Sequence, residues 1–198
     1  MNHLVIFASG SGSNFQSIID NIQSGRLDAK ITGLITNRDQ IGAISIAKLN
    51  GIPYQVINKK DFSNFKEYEE SLLVQCRNWD AHYLICAGYL NKIPDLLIEH
   101  YDHRILNIHP SLLPKYGGKG FYGIHVHTSV IEHGETVSGC TIHLVSSNYD
   151  EGPILAQESV EVDPEDTPHS LAAKVLAIEH SLYPKTIQNY IHQLIQTS

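Results

Sequence analysis

The stretch LVIFASGSGSNFQSII, from Leu4 to Ile19, decides the fold of this chain. It begins with Leu4 to Ala8, a continuous apolar run of the kind that forms a buried strand. A cluster of glycine and serine follows, and apolar residues then recur at the spacing of one helix face from Phe15 to Ile22. Gly25 marks the end of that helix. A strand that turns through glycines into a helix is the first half of a β-α-β unit and predicts a parallel sheet.

The alternation of strand and helix continues through the first half of the chain. Predicted strands cover Ile31–Thr36, Tyr54–Ile57, Tyr83–Ala87 and Ile105–Ile108, and predicted helices cover Ile41–Asn50, Phe62–Arg77 and Pro94–His100. Repeated β-α units require a mostly parallel sheet with helices on both faces. Ligands of such sheets bind beyond the carboxyl ends of the strands, which is where candidate site residues are expected.

The second half of the chain changes character after a glycine-rich loop, Gly117–Gly123. The elements predicted there are a helix over His125–Glu132, strands over Val137–Val145 and Ile154–Val162, and a last helix over Pro168–Ile195 that is interrupted at Pro184. Because only a short link joins the two strands, they predict a hairpin. We therefore expect one α/β domain over residues 1–198, with a Rossmann-like, mostly parallel sheet and an antiparallel C-terminal hairpin extension.

Composition limits the classes of partner. The hydrophobic content of 42% and the charged content of 18% are those of a globular protein. A net charge of −7 and a pI near 5.9 argue against binding to nucleic acid or to an anionic membrane. Cys76, Cys86 and Cys140 are widely spaced, and the amino-terminal segment lacks the basic start of a secretory signal. We expect a cytoplasmic protein with reduced thiols, no membrane partner and no nucleic-acid partner.

The strongest candidate for chemistry is the pair Asn107 and His109, at the end of the predicted strand Ile105–Ile108. Two residues apart on an extended backbone, an amide and an imidazole point to the same side. Such a pair suits a carbonyl under attack, because an amide holds a developing oxyanion and an imidazole carries a proton near neutral pH. Pro110 and Pro114 restrict the loop that follows. The alternative is a polar strand end whose side chains only bond to the loop backbone.

The glycine-serine loop Ser9–Asn14 is a candidate anion site, because glycines allow close approach to the backbone and a helix amino end attracts phosphate. Phe15 stands where a dinucleotide fingerprint has its third glycine, and no Walker lysine follows. The alternative is a strand-helix turn in which Ser13 or Asn14 caps the helix.

Two carboxylates and a histidine pair complete the candidates. Asp150 lies in the hairpin link. If that link folds over the strand of His109, the Asp150 carboxylate raises the pKa of the His109 imidazole. The alternative is that Asp150 belongs to an ordinary turn. Glu179, in the last helix, is a ligand contact or a solvated helix residue. His125 and His127 are the best metal candidates, but a helix separates their rings, so we expect no metal site.

Together these segments resemble the phosphoribosylglycinamide formyltransferase family along almost the whole chain. The segments that carry the resemblance are Ser9–Asn14, Ala87-Gly88-Tyr89, Asn107–Tyr116, Gly139–His143, Asp150–Ile154 and Glu179–Pro184. The central Asn-x-His-Pro-Ser-Leu-Leu-Pro block is shared with other formyltetrahydrofolate-using enzymes. The Ser-Gly-x-Gly-Ser-Asn loop and the Glu-His-x-x-Tyr-Pro segment favour the glycinamide enzymes.

The resemblance implies roles for individual residues. It makes Asn107, His109 and Asp150 the catalytic set. The residues that would bind the ribotide substrate are Gly12, Ser13, Asn14, Pro110 and Glu179. The folate would lie against Leu90, Asn91, Lys92, Ile93, Asn107 and the Ser146–Asp150 loop. The implied reaction is formyl transfer from 10-formyltetrahydrofolate, as co-substrate and without a metal, to the amine of 5-phosphoribosylglycinamide in de novo purine biosynthesis.

Two other functions stay open from sequence. Hydrolysis of the same folate, as in a formyltetrahydrofolate deformylase, would use water in place of the amine. A non-catalytic sensor would bind phosphorylated sugars or folates through the glycine-serine loop, but it gives Asn107, His109 and Asp150 no reason to meet. The expected partners are the two small-molecule substrates, and the expected assembly is a monomer or a homodimer.

Overall fold

The computed structural model describes residues 1–197, apart from the side chains of residues 195 and 197. Its strands are β1 (Asn2–Phe7), β2 (Ala29–Thr36), β3 (Tyr54–Val56), β4 (Tyr83–Cys86), β5 (Ile105–His109), β6 (Val137–Leu144) and β7 (Ile154–Glu161). Its α-helices are α1 (Ser13–Gln23), α2 (Gly42–Leu49), α3 (Phe65–Asn78), α4 (Asp95–His100), α5 (Ile124–Glu132) and α6 (Pro168–Thr197). The strands form a seven-stranded sheet in the order β3-β2-β1-β4-β5-β6-β7. The chain divides into two compact units, Met1–Leu106 and Asn107–Ser198.

In the first unit the central strand β1 pairs in parallel with β2 on one side and with β4 on the other, and β2 pairs in parallel with β3. Phe7 lies opposite Ile35 in β2 and Cys86 in β4. The last residues of all three strands are buried, because helices cover a parallel sheet on both faces. The predicted β-α alternation is thereby confirmed, and the carboxyl ends of β1, β2 and β4 are brought together.

One helix of this unit starts later than its apolar pattern suggests. We predicted a helix from Phe62, whereas α3 begins at Phe65. Asn64 is its N-cap, and its side chain accepts a hydrogen bond from the backbone N–H of Glu67 at 2.9 Å. The Glu67 carboxylate in turn accepts one from the backbone N–H of Ser63 at 3.2 Å. These two bonds give acceptors to backbone N–H groups at the start of α3. A helix that began at Phe62 would lack this cap.

The second unit contains the predicted hairpin. Strands β6 and β7 pair antiparallel, from Val137 opposite Glu161 to His143 opposite Ile154, with a register shift between Ile142 and His143. The link returns close to the end of β6, where Gly152 lies against the backbone. A Cβ added there would come within 1.8 Å of the Leu144 carbonyl oxygen, so the link closes only with glycine at this position.

The predicted interruption of the last helix at Pro184 is wrong, because α6 runs from Pro168 to Thr197 with Pro184 inside it. An interior proline removes one backbone hydrogen bond and costs about 3 kcal/mol. Burial of one face of the helix offsets that cost. The fully or almost fully buried side chains of α6 include Leu171, Val175, Tyr183, Ile187 and Ile191.

Within the described residues, none of the helices has both the length and the apolar character needed to cross a membrane.

Candidate active site

The first candidate element is the loop between β1 and α1. Gly12 is the N-cap of α1 in a left-handed conformation (φ 82°), and the N-cap residue makes no side-chain hydrogen bond. Ser13 and Asn14 lie inside the first turn, so neither is the N-cap residue. A helix start with no side-chain acceptor at its cap presents N–H groups to an anion.

The amino end of α2 braces this loop. A Cβ added at Gly12 would meet the Ala43 Cα at 2.8 Å, and one added at Gly42 would meet the Ser11 carbonyl oxygen at 2.4 Å. The Ala43 N–H donates to the Gly10 carbonyl at 3.2 Å. Glycine is required at these contacts because two backbones approach one another directly.

A buried polar network joins the neighbouring strand ends of the first unit. The Ser9 hydroxyl donates to the Asn37 amide oxygen at 2.6 Å and accepts from the Leu90 N–H at 3.0 Å. Asn37 also donates to the Asn91 amide oxygen at 3.1 Å. Ser9, Asn37 and the Leu90–Asn91 segment follow β1, β2 and β4, so this network fixes how the three strand ends continue.

The residues expected to contact folate in this segment differ in their exposure. Leu90 is 39% exposed, whereas Ile93 is 4% exposed and its side chain belongs to the core. Lys92 lies on the surface, and its ammonium donates to the Asp95 carboxylate at 3.4 Å. A ligand at this segment would thus find the Leu90 side chain and backbone groups more readily than the Ile93 side chain.

In the second unit the imidazole of His109 lies between two acceptors. Its Nε2–H donates to the Tyr116 carbonyl at 2.7 Å, and its Nδ1 lies 3.5 Å from Oδ2 of Asp150. The side chains of His109 and Asp150 are only 5% and 12% exposed. The Gly118 N–H donates to the same Asp150 oxygen at 2.8 Å, which holds the carboxylate in place. The hairpin link therefore does fold over the end of the strand that carries His109.

His143 completes the cluster, although sequence reasoning assigned it no role. Its Nδ1–H donates to the Leu144 carbonyl at 2.9 Å, so its Nε2 accepts from the Asn107 amide at 3.0 Å. That Nε2 also lies 3.5 Å from Oδ1 of Asp150. One sequence signal was present: His143 is a titratable residue in the otherwise mainly apolar buried end of β6, directly before the link that carries Asp150.

The pKa of His109 differs from the sequence-based expectation. The pKa of His109 is lowered, because burial outweighs the opposing effects of Asp150 and of the Tyr116 carbonyl, so the expected net rise is wrong. Burial would also raise the pKa of Asp150, but the neighbouring His143 and His109 and the Gly118 N–H together lower it. The resting site at neutral pH therefore pairs a neutral imidazole with an ionised carboxylate.

Residues 2–187 match the family model described as Formyl transferase. The chain belongs to the formyl transferase family. It is 43% identical over 185 residues to the chloroplastic phosphoribosylglycinamide formyltransferase of Arabidopsis thaliana, covering 93% of this chain but only 63% of the plant protein's length. It is 33% identical over 191 residues to the phosphoribosylglycinamide formyltransferase of Bacillus subtilis, covering 96% of this chain and 95% of that protein.

The fold is also similar to that of a solved phosphoribosylglycinamide formyltransferase. The crystal structure of phosphoribosylglycinamide formyltransferase from Bacillus halodurans matches this formyl transferase with a TM-score of 0.89 and 35% identity. The match covers 95% of this chain and 94% of the other. The predicted fold class, a mostly parallel α/β sheet with antiparallel C-terminal strands, is confirmed.

Two further expected site residues of this formyl transferase lie in the second unit. Pro110 directly follows β5 and is partly exposed. Glu179 lies in α6 and is only 6% exposed, which rules out the alternative of a solvated helix residue. Its charge helps to raise the pKa of the Cys140 thiol, although burial of that thiol is the larger cause. A carboxylate so nearly buried suits recognition of a cationic or amine group.

The metal candidates have unsuitable geometry. His125 is exposed at the surface of α5 while His127 is buried, so the helix does separate the two rings as predicted. Among the described residues, one group of three potential ligands lies close together, His3, Asp80 and His82. The two imidazole rings of this group are stacked, with an angle of 12° between their planes and 4.8 Å between their centroids. A cation binds a histidine close to the plane of its imidazole ring. Because these two ring planes are stacked and almost parallel, no position near both rings lies in both planes.

Proposed function

We propose that this formyl transferase moves the formyl group of 10-formyltetrahydrofolate to the amine of 5-phosphoribosylglycinamide, a step of de novo purine biosynthesis. The single observation that carries the proposal is the convergence of Asn107, His109 and Asp150 in one cluster around the buried rings of His109 and His143. The relatives named phosphoribosylglycinamide formyltransferase support the choice of substrates.

The imidazole of His109 is suited to carry the proton of the attacking amine. Attack on the formyl carbon makes the amine nitrogen acidic, and Nδ1 takes its proton, while Nε2–H stays bonded to the Tyr116 carbonyl. The resulting imidazolium has an acceptor at each nitrogen, since Asp150 faces Nδ1. Transfer of this proton to the departing folate nitrogen breaks the old C–N bond and restores the neutral ring.

Asn107 is suited to stabilise the oxyanion of the tetrahedral intermediate. One amide N–H is used on His143, which orients the group, and the second N–H remains for the substrate oxygen. Loss of one such donor typically costs about 3–4 kcal/mol of transition-state stabilisation. The bond from His143 Nδ1–H to the Leu144 carbonyl leaves Nε2 as the acceptor that keeps Asn107 in place.

The binding roles follow the same proposal. Gly12, Ser13 and Asn14 would hold the phosphate of the ribotide at the amino end of α1. Pro110 and Glu179 would contact the glycinamide, with the buried carboxylate of Glu179 near its amine. The folate would lie against Asn107, Leu90–Ile93 and the Ser146–Asp150 loop.

The location and assembly of the protein are also part of the proposal. Cys76, Cys86 and Cys140 are buried thiols outside disulfide bonds, which fits a reducing compartment such as the cytoplasm. Two small-molecule substrates account for the site residues, and we propose a monomer or a homodimer that binds no nucleic acid.

The decisive experiment compares the wild-type protein with His109→Ala. With both substrates, the wild-type protein should form formylated ribotide and tetrahydrofolate in equal amounts, and the variant should be slower by about a hundredfold or more. Omission of the ribotide separates transfer from hydrolysis. Folate release that does not depend on the ribotide would show a hydrolase, and binding of either ligand without formyl consumption would show a sensor.

A further inference from the structure

The orientation of His109 depends on a backbone carbonyl from the loop that follows β5. The Tyr116 carbonyl accepts the Nε2–H of His109 at 2.7 Å, which keeps the neutral ring in the tautomer whose Nδ1 is free to accept a proton. If this carbonyl moved away, Nδ1 could carry the ring proton instead and would then lose its capacity as a base.

The turn that presents this carbonyl is supported on its inner side, where the Ser111 hydroxyl lies 3.5 Å from the Tyr116 carbonyl oxygen and the Tyr116 side chain packs against a core cluster. Tyr116 has a left-handed backbone (φ 54°), which is uncommon for a residue with a large side chain. The Ser111 hydroxyl donates to the Lys115 carbonyl at 2.6 Å and holds the inner side of the turn. A cavity of about 210 Å³ lies beside it, with Leu112, Tyr116 and Val130 among the lining residues. Because one side faces a cavity, packing alone does not determine the position of the turn.

Glu135, which follows α5, holds the outer side of the turn through both of its oxygens. Lys115 Nζ donates to Oε1 at 2.9 Å and to Oε2 at 3.1 Å. The Tyr116 hydroxyl donates to Oε1 at 3.0 Å. The hydrogen bonds from Lys115 and Tyr116, in that order, lower the pKa of Glu135, with a further effect from the charge of His133. The carboxylate is therefore ionised wherever the enzyme is expected to work.

We propose that Glu135 is a positioning residue, which clamps Lys115 and Tyr116 so that the Tyr116 carbonyl holds His109 in its reactive tautomer. This inference rests on the proposed catalytic role of His109. Glu135 itself contacts neither substrate in this scheme. Its effect passes through two hydrogen bonds: the Tyr116 hydroxyl donates to the Glu135 carboxylate, and the His109 ring donates to the Tyr116 carbonyl.

The test uses the full chain and three substitutions. Glu135→Ala removes the clamp, Glu135→Gln keeps an acceptor for Lys115 and Tyr116, and Glu132→Ala is the matched control, because Glu132 is an exposed glutamate at the end of α5. We expect Glu135→Ala to lower kcat about tenfold with little change in KM for the ribotide, since the reacting group is misplaced rather than the substrate. Glu135→Gln should recover most of the loss, and Glu132→Ala should resemble the wild-type protein.

A direct reading of the ring distinguishes positioning from a general loss of structure. Nitrogen NMR of ¹⁵N-histidine-labelled protein should show neutral His109 protonated at Nε2 in the wild-type protein and a gain of the Nδ1–H form in Glu135→Ala. An unchanged tautomer would overturn the proposal, whether or not kcat falls. If Glu135→Ala does not fold, Tyr116→Phe takes its place, since it removes only the hydroxyl contact and leaves the carbonyl.

The same data separate this inference from the proposed function. If wild-type protein forms no formylated ribotide, or His109→Ala is fully active, the proposed function fails while the tautomer measurement still tests the clamp. If His109→Ala is inactive but Glu135→Ala has wild-type kcat and tautomer, only the clamp fails.

Discussion

Asp150 Oδ2 lies 3.5 Å from Nδ1 of His109, although one residue belongs to a hairpin link and the other to the end of β5. The distance is longer than a hydrogen bond, so the neutral ring and the ionised carboxylate face one another without sharing a proton. The carboxylate is kept in place by the Gly118 N–H at 2.8 Å. In the proposed reaction its negative charge would therefore be present before the ring becomes positive, and the site would be preorganised for the imidazolium.

Replacement of this charge should slow formyl transfer. Asn at position 150 tolerates the left-handed backbone (φ 56°) but cannot stabilise an imidazolium electrostatically. We expect Asp150→Asn to lower kcat about a hundredfold or more, with the chain still folded. Asp102→Asn, at an exposed aspartate, is the control. Steady-state kinetics measure both, and a near-normal rate for Asp150→Asn would refute the role.

His143 should contribute by orienting Asn107 and through its position beside Asp150. His143→Phe retains a planar ring but removes the acceptor for the Asn107 amide and the partner of Asp150. Since the neighbouring His143 helps to lower the pKa of Asp150, the variant should raise that pKa. We expect kcat to fall at least about tenfold because the oxyanion donor is no longer fixed. Kinetics and carboxyl NMR test this, and an unchanged kcat together with an unchanged Asp150 pKa would contradict it.

His127 should make the protein less stable in acid. Burial, with a smaller effect of the charge of His109, lowers the pKa of His127 to about 4, whereas an unfolded histidine titrates near 6.5. Between these values the unfolded chain binds a proton that the folded chain does not, so stability falls as the pH falls from about 6.5 to about 4. The loss from this residue is about 3 kcal/mol over that range.

His127→Gln should remove this contribution while leaving that of His109, whose pKa is also lowered. Urea unfolding of the wild-type protein and the variant at pH 7 and pH 4.5 provides the comparison, with the exposed His103→Gln as control. If the stability of wild type and His127→Gln changes equally with pH, His127 is not the group responsible.

Gly12 should be needed for the shape of the proposed phosphate loop. Ala at this position would have an unfavourable positive φ (82°) and would contact Ala43 at 2.8 Å. We expect Gly12→Ala to raise KM for the ribotide at least about tenfold, since the helix amino end is displaced from the phosphate. At Gly10 an added Cβ meets no atom within 4 Å, so Gly10→Ala should have a smaller effect. Equal KM values for the two variants would argue against this account.

The sequence predicted the elements well where local signals agree with the tertiary structure. The β-α alternation and the hairpin are both encoded by short-range periodicity and residue type. Two of the differences have clear physical reasons. A side-chain cap delays the start of α3, and burial of one face of α6 carries that helix through Pro184.

By itself, then, the sequence determined which backbone is strand or helix and which side chains could react, because these depend on neighbours along the chain. Tertiary structure alone decided that His143 orients Asn107, that Glu179 is buried, and that the pKa of His109 falls rather than rises. These properties depend on the balance between desolvation and charge, and that balance is set by groups distant in sequence and close in space.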